Sequence, residues 1–137
     1  MPNMIVENID NGNVLFQAET TVFNEDTLTL AGETTALEGT ILARDSVSLK
    51  LVPFEKGGTT NNNGIPVTVL TYPATNEAVG AGDVPVRVPG GAKVYVNRLV
   101  IAADGDNSNV DAAVIDQLRD FSIIPAESSD LTVLDNQ

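Results

Sequence analysis

The 137-residue chain contains no cysteine, no histidine and no tryptophan. Without cysteine there is neither a disulfide framework nor a thiol nucleophile. Without histidine as well, Ser-His-Asp and Cys-His arrangements and the zinc sites built on these residues are excluded. Aromatic rings are confined to Phe16, Phe23, Phe54, Phe121, Tyr72 and Tyr95, so the core has to be aliphatic. No apolar run approaches the ~18 residues of a membrane-spanning helix. The opening MPNMIVENID has no basic stretch ahead of an apolar one, so neither a membrane span nor a secretory signal is expected, and the product is expected to stay soluble in the cytoplasm that makes it.

Positive charge is also missing from one whole region. Residues 1–43 carry seven acids and no base, residues 44–119 hold all seven bases against eight acids, and residues 120–137 add four acids. The net charge of −12 therefore belongs to the two ends of a nearly neutral body. Acidic ends repel phosphate backbones, so no direct nucleic-acid partner is expected. They also keep an abundant protein soluble.

What is present is β-forming pattern. With 42% apolar residues the chain is long enough for one domain plus tails, burying roughly 65–70% of its unfolded surface. The stretch Gly39 to Phe54, GTILARDSVSLKLVPF, predicts a hairpin. Ile41-Leu42-Ala43 forms one strand, Asp45-Ser46 turns the chain, and Val47, Leu49 and Leu51 alternate with polar residues before Pro53 closes the run. Upstream, Asn13 to Phe23 and Thr27 to Ala31 read as two strands about an Asn24-Glu25-Asp26 turn. Downstream, EKGGTTNNNG is a loop. Ile65 to Tyr72 is a strand that Pro66 restricts to an edge or a first position. Asp83 to Val88 and Ala92 to Asn97 are expected to pair across Pro89-Gly90-Gly91. The one convincing helix puts Val110, Ala113, Val114, Leu118 and Phe121 on one face, with Ser108 or Asn109 as its cap. Ile123-Ile124 follows as a short exit strand that Pro125 stops. The fold class is α+β, mainly β: a small domain of hairpins with one C-terminal helix and an extended N-terminal arm.

Chemistry is sparse. The acids lie in loops and tails outside any recognisable catalytic motif, and Gly57-Gly58, Gly80-Ala81-Gly82 and Gly90-Gly91 lack the lysine or helix that phosphate loops need. Asp104-Gly105-Asp106-Asn107-Ser108 has alternating oxygen side chains, but an EF-hand register begun at Asp104 needs glycine at Asn109 and glutamate at Ile115, so a polar turn leading to a helix cap is expected instead. No catalytic residue, cofactor or metal site is assigned.

The succession GTILARD, KLVPF, a Gly/Asn loop, IPVTVL, DVPVRVPGG, VYVNRLVIAADG and the helix VDAAVIDQLRDFSII resembles the bacteriophage head decoration (capsid cement) proteins, over about residues 38–125. Ser122 departs from it where relatives often carry glycine. The resemblance implies a non-enzymatic homotrimer on the outer surface of the expanded phage head, clamping the major capsid protein against internal DNA pressure. It also implies an N-terminal arm that orders on the capsid. On this division residues 1–37 are an acidic arm, 38–125 the body and 126–137 an acidic tail. Met4, Ile5, Val6, Val14, Leu15 and Phe16 are the expected capsid contacts, since they offer extended apolar surface for strand addition. Two competing readings are a virion-surface module binding glycans or receptors through the 56–64 and 73–82 loops, and a small enzyme using carboxylates.

Overall fold

The computed structural model describes residues 14–15 and 21–126. Among the described residues are nine strands and one α-helix: β1 (Phe23–Leu30), β2 (Thr34–Ala36), β3 (Ile41–Arg44), β4 (Leu51–Pro53), β5 (Pro66–Val69), β6 (Ala74–Asn76), β7 (Gly82–Pro89), β8 (Ala92–Tyr95), α1 (Ala112–Arg119) and β9 (Ile123–Ala126). A 3-10 turn, Val96–Arg98, follows β8.

Five strands form the main sheet in the order β5-β3-β4-β1-β7. Its centre is the expected hairpin, with β3 and β4 antiparallel in the register Leu42 to Pro53, Ala43 to Val52 and Arg44 to Leu51. The returning strand starts only at Leu51, so Val47 and Leu49, expected in it, lie exposed in the connecting loop. Asp45 makes that loop, its Oδ1 accepting from the amides of Val47 at 2.8 Å and Ser48 at 2.9 Å. β3 is covered on both faces, which is why Ile41, Leu42 and Ala43 form a continuous apolar run and not an alternation. Ile41 and Ala43 enter one core with Phe54, Val94, Val114, Leu118 and Ile123. Leu42 enters a second on the opposite face, with Leu28, Leu51, Leu70, Val86 and Val88.

β1 corrects the sequence reading. The Asn24-Glu25-Asp26 run, expected to turn the chain, lies within a single eight-residue strand, so the expected turn is not made there. Long-range pairing overrides local turn composition: β1 lies antiparallel to the whole of β7, from Phe23 opposite Pro89 to Leu30 opposite Gly82, and parallel to β4 on its other side. Strands β1 and β2 thus come from the segment read as arm, and β1 lies inside the main sheet. Pro66 begins β5 at the sheet edge, where a missing amide costs no ladder bond.

The expected β7–β8 hairpin is a second correction. Pro89-Gly90-Gly91 bends the chain but hands it to a different sheet: Gly90 donates to Val22 O at 2.8 Å, Ala92 donates to Ser122 O at 3.0 Å, and β8 then runs parallel to β9. A two-stranded ribbon of β2 and β6 completes the body, joined to β1 by the buried Asn76 amide, which donates to Leu30 O at 3.2 Å.

The helix is shorter than its periodicity promised and is capped elsewhere. Asp111, not Ser108 or Asn109, accepts from the Val114 amide at 3.1 Å as N-cap. Ser108 is held instead by Asp106, at 3.0 Å from its amide and 2.7 Å from its hydroxyl. Of the expected apolar face, Val114 and Leu118 are buried and Val110 packs at the margin, while Ala113 and Phe121 are exposed. β9 runs on through Pro125 to Ala126. Among the described residues no helix is long and apolar enough to cross a membrane.

Candidate functional site

Two features of the described residues bear on function. The first is the place where the N-terminal segment meets the body. Val14 and Leu15 run antiparallel beside β8: Leu15 bridges Val94, and the Tyr95 amide donates to Val14 O at 2.8 Å. β8 therefore has β9 on one side and this two-residue segment on the other. Val14 is fully buried in the first core, and Leu15 packs against its margin. Of the expected capsid contacts, Val14 and Leu15 are thus held by the chain's own body. Met4, Ile5, Val6 and Phe16 lie outside the described residues.

The second feature is an open groove of about 810 Å³ between β1, β7 and residues 72–75. Leu70, Val84 and Val86 are among its apolar lining, with Tyr72, Pro73 and Pro85 beside them. Glu25, Asp26 and Arg87 line it as well. Asp26 is held by Arg44 through a two-pronged bond, at 3.0 Å and 2.8 Å, and Arg44 also donates to Leu49 O at 3.1 Å. The Arg44 guanidinium holds the Asp26 carboxyl below the usual carboxylate range against a smaller opposing effect of burial, and the Thr27 amide adds to the lowering. The guanidinium is correspondingly held more firmly protonated by Asp26.

The other shifted carboxyls all move in the same direction. Asp45 is lowered by the Ser48 and Val47 amides, and Asp83 by Lys50 and then Thr29. Asp106 is lowered by Ser108, and Asp111 by Lys56 and then the Val114 amide. Each is an anion held by donors, the state of a structural ion pair or cap rather than of a carboxylic acid poised to give up a proton near neutrality. The described residues contain no group of three acids, histidines or cysteines placed to hold a metal ion. Of the two loops read as possible glycan contacts, 73–82 contains β6 and is tied into the β2–β6 ribbon, and 56–64 is cross-linked to itself by Thr60 and Asn63.

The sequence model of bacteriophage lambda head decoration protein D matches residues 4–123. The chain belongs to that family. The match begins at residue 4, so the head decoration pattern takes in most of the acidic leader as well as the body. A comparison with individual curated proteins returned no match. Membership makes this a protein of the phage head, in a family with a structural capsid role. The sequence resemblance rested on short runs after residue 38, and what it missed is β1. The alternation of Leu28 and Leu30 was visible, but their partner strand β7 lies too far along the chain for local pattern to announce.

Proposed function

We propose that the protein is a non-enzymatic cement: it binds the outer surface of the expanded head as a homotrimer and stabilises contacts between major capsid subunits against internal DNA pressure. The observation that carries the reading is the family match over residues 4–123. The arm assignment is a proposal too. Met4, Ile5 and Val6 add to a sheet edge of the capsid, while Val14 and Leu15 act as the hinge point where the arm leaves the body, because their own contacts are already made to β8. Phe16, expected in the same contact set, stays with the arm in this reading.

Ordering an arm on binding costs about 2–5 kcal/mol, so a single arm binds weakly. Three arms carried on one trimer raise avidity by up to ~10²–10⁴-fold when all can engage together. The deciding experiment is co-sedimentation of the purified protein with expanded and unexpanded empty heads. Saturation near one copy per major capsid subunit, on expanded heads alone, is the expected result. A folded protein that sediments with neither form overturns the reading.

A further inference from the structure

We propose that Asn63-Gly64 is a site of spontaneous deamidation that stays shut while the 55–65 loop is closed, so that opening of the loop is recorded covalently in the chain.

The fold itself demands the reactive pair. Asparagine followed by glycine is open to this reaction because no Cβ on the second residue obstructs the approach of its backbone nitrogen to the carboxamide. The chain has two such pairs, Asn11-Gly12 and Asn63-Gly64, the first outside the described residues. At the second, a Cβ on Gly64 would run into Gly58 O, so a side chain there would have to push the loop apart. Asn63 is fixed by a different need: its Oδ1 accepts from the Thr60 amide at 3.1 Å.

In the reaction the Gly64 nitrogen gives its proton to solvent base and bonds to Asn63 Cγ, while the carboxamide nitrogen leaves as ammonia. Water then adds across one of the two carbon–nitrogen bonds of the cyclic imide. Opening at Cγ leaves aspartate at position 63. Opening at the backbone carbonyl carbon leaves isoaspartate, with the main chain rerouted through the side chain.

The closed loop opposes the first step. Ring closure needs the carboxamide and the 63–64 peptide to rotate toward each other until the reacting atoms meet. Each is held separately. The Glu55 amide donates to Asn63 O at 2.9 Å, the Asn63 amide to Thr60 O at 2.9 Å, and the Thr60 amide holds the carboxamide oxygen. Gly58 packs against both reacting groups: its own Cβ, if it had one, would collide with Asn63 Oδ1 and lie 2.9 Å from Cγ, and its carbonyl abuts Gly64. The loop is also fastened from outside. The Ser46 amide donates to Asn61 O at 3.0 Å, and Lys56 Nζ lies 2.6 Å from Asp111 Oδ2, on the residue that caps α1. The way to the imide is therefore local opening of this segment. Isoaspartate adds a backbone atom between the groups that meet Glu55 and Thr60, so a loop that has reacted does not close again in the same register.

The test is peptide mapping by mass spectrometry of the full chain, incubated at neutral pH with and without denaturing guanidinium chloride, with isoaspartate at position 63 followed over time. In denaturant position 63 is expected to react as fast as Asn11, its sequence-matched standard. In the folded chain it is expected to react at least about tenfold more slowly. Gly58→Ala forces a Cβ against the carboxamide, and is expected to speed the reaction in the folded protein while leaving the denatured rate unchanged. Lys56→Met, at an exposed position, releases the tie to α1 without touching the core; it is expected to act in the same direction and serves if Gly58→Ala does not fold. Equal rates at position 63 with and without denaturant overturn the gate, and no isoaspartate there in denaturant overturns the site. A folded Gly58→Ala, or failing that a folded Lys56→Met, that reacts at the wild-type rate overturns the assignment of the gate to this loop.

Discussion

Ser122 carries the chain from α1 into β9 at φ 68°, with its amide on Arg119 O at 3.0 Å. Glycine adopts that conformation without strain, whereas a serine there costs about 1 kcal/mol. Ser122→Gly is therefore expected to stabilise the fold by about that amount, read as a raised urea midpoint at unchanged slope. Thr71 is a second residue at odds with its surroundings: its hydroxyl is buried with no hydrogen-bond partner among the described residues. Thr71→Val keeps the shape and removes the orphan, so it is expected to be neutral or stabilising by up to ~1 kcal/mol in the same assay. Asp26 sets part of the pH dependence. Its carboxyl is lowered in the folded state, so its contribution is present above its unfolded value of ~4 and is lost as pH falls through the folded value. The thermal midpoint is expected to be flat from about pH 7 to 5 and to fall below about pH 4. Asp26→Asn should lie lower at neutral pH and fall less steeply in acid; an unchanged slope would remove Asp26 from that account.

Helix α1 is held by few side chains. Val114 and Leu118 are its buried residues, and Leu118 is completely enclosed among Ile41, Val94 and Ile123 of the first core. Leu118→Ala is expected to cost about 2–5 kcal/mol, measured by chemical denaturation. The helix shows how far local pattern reaches. Its existence and its two anchoring positions were legible at period 3.6, but its cap was not, because Ser108, Asn109 and Asp111 are all competent acceptors and only the fold decides which one meets a free amide. The β3–β4 hairpin was legible for the same local reason, including Pro53 at its end. Pairings that join distant segments were not. Nothing near Asn24 reveals that its partner is Val88, so the turn-like composition there was the only available signal and it misled. Pro89-Gly90-Gly91 was a real bend, yet a bend does not say whether the next strand returns to the same sheet. At the arm, apolar side chains at Val14 and Leu15 were visible in sequence, while their claim by β8 was not, since Val94 lies in another part of the chain.

For the whole molecule, the anchor at β8 decides where the arm can be cut. Removing residues 1–16 takes Val14 out of the core, at an expected cost of about 1.5–3 kcal/mol, and so confuses lost binding with lost stability. Removing residues 1–12 keeps Val14 and Leu15. That shorter truncation is expected to unfold at the wild-type denaturant concentration and yet fail to co-sediment with expanded heads; full binding would refute the arm assignment. The β1–β7 pairing has a consequence of another kind, for how the chain is made. Leu28 and Leu30 leave the ribosome early, but the strand that covers them is complete only when Pro89 has been added. At roughly 5–20 residues per second the wait lasts seconds, far longer than a hairpin needs to form. Through that interval two leucines on a bare strand invite pairing with other nascent chains. The seven acids and absent bases of the first 43 residues give neighbouring chains the same sign of charge at the time when sticking together is easiest.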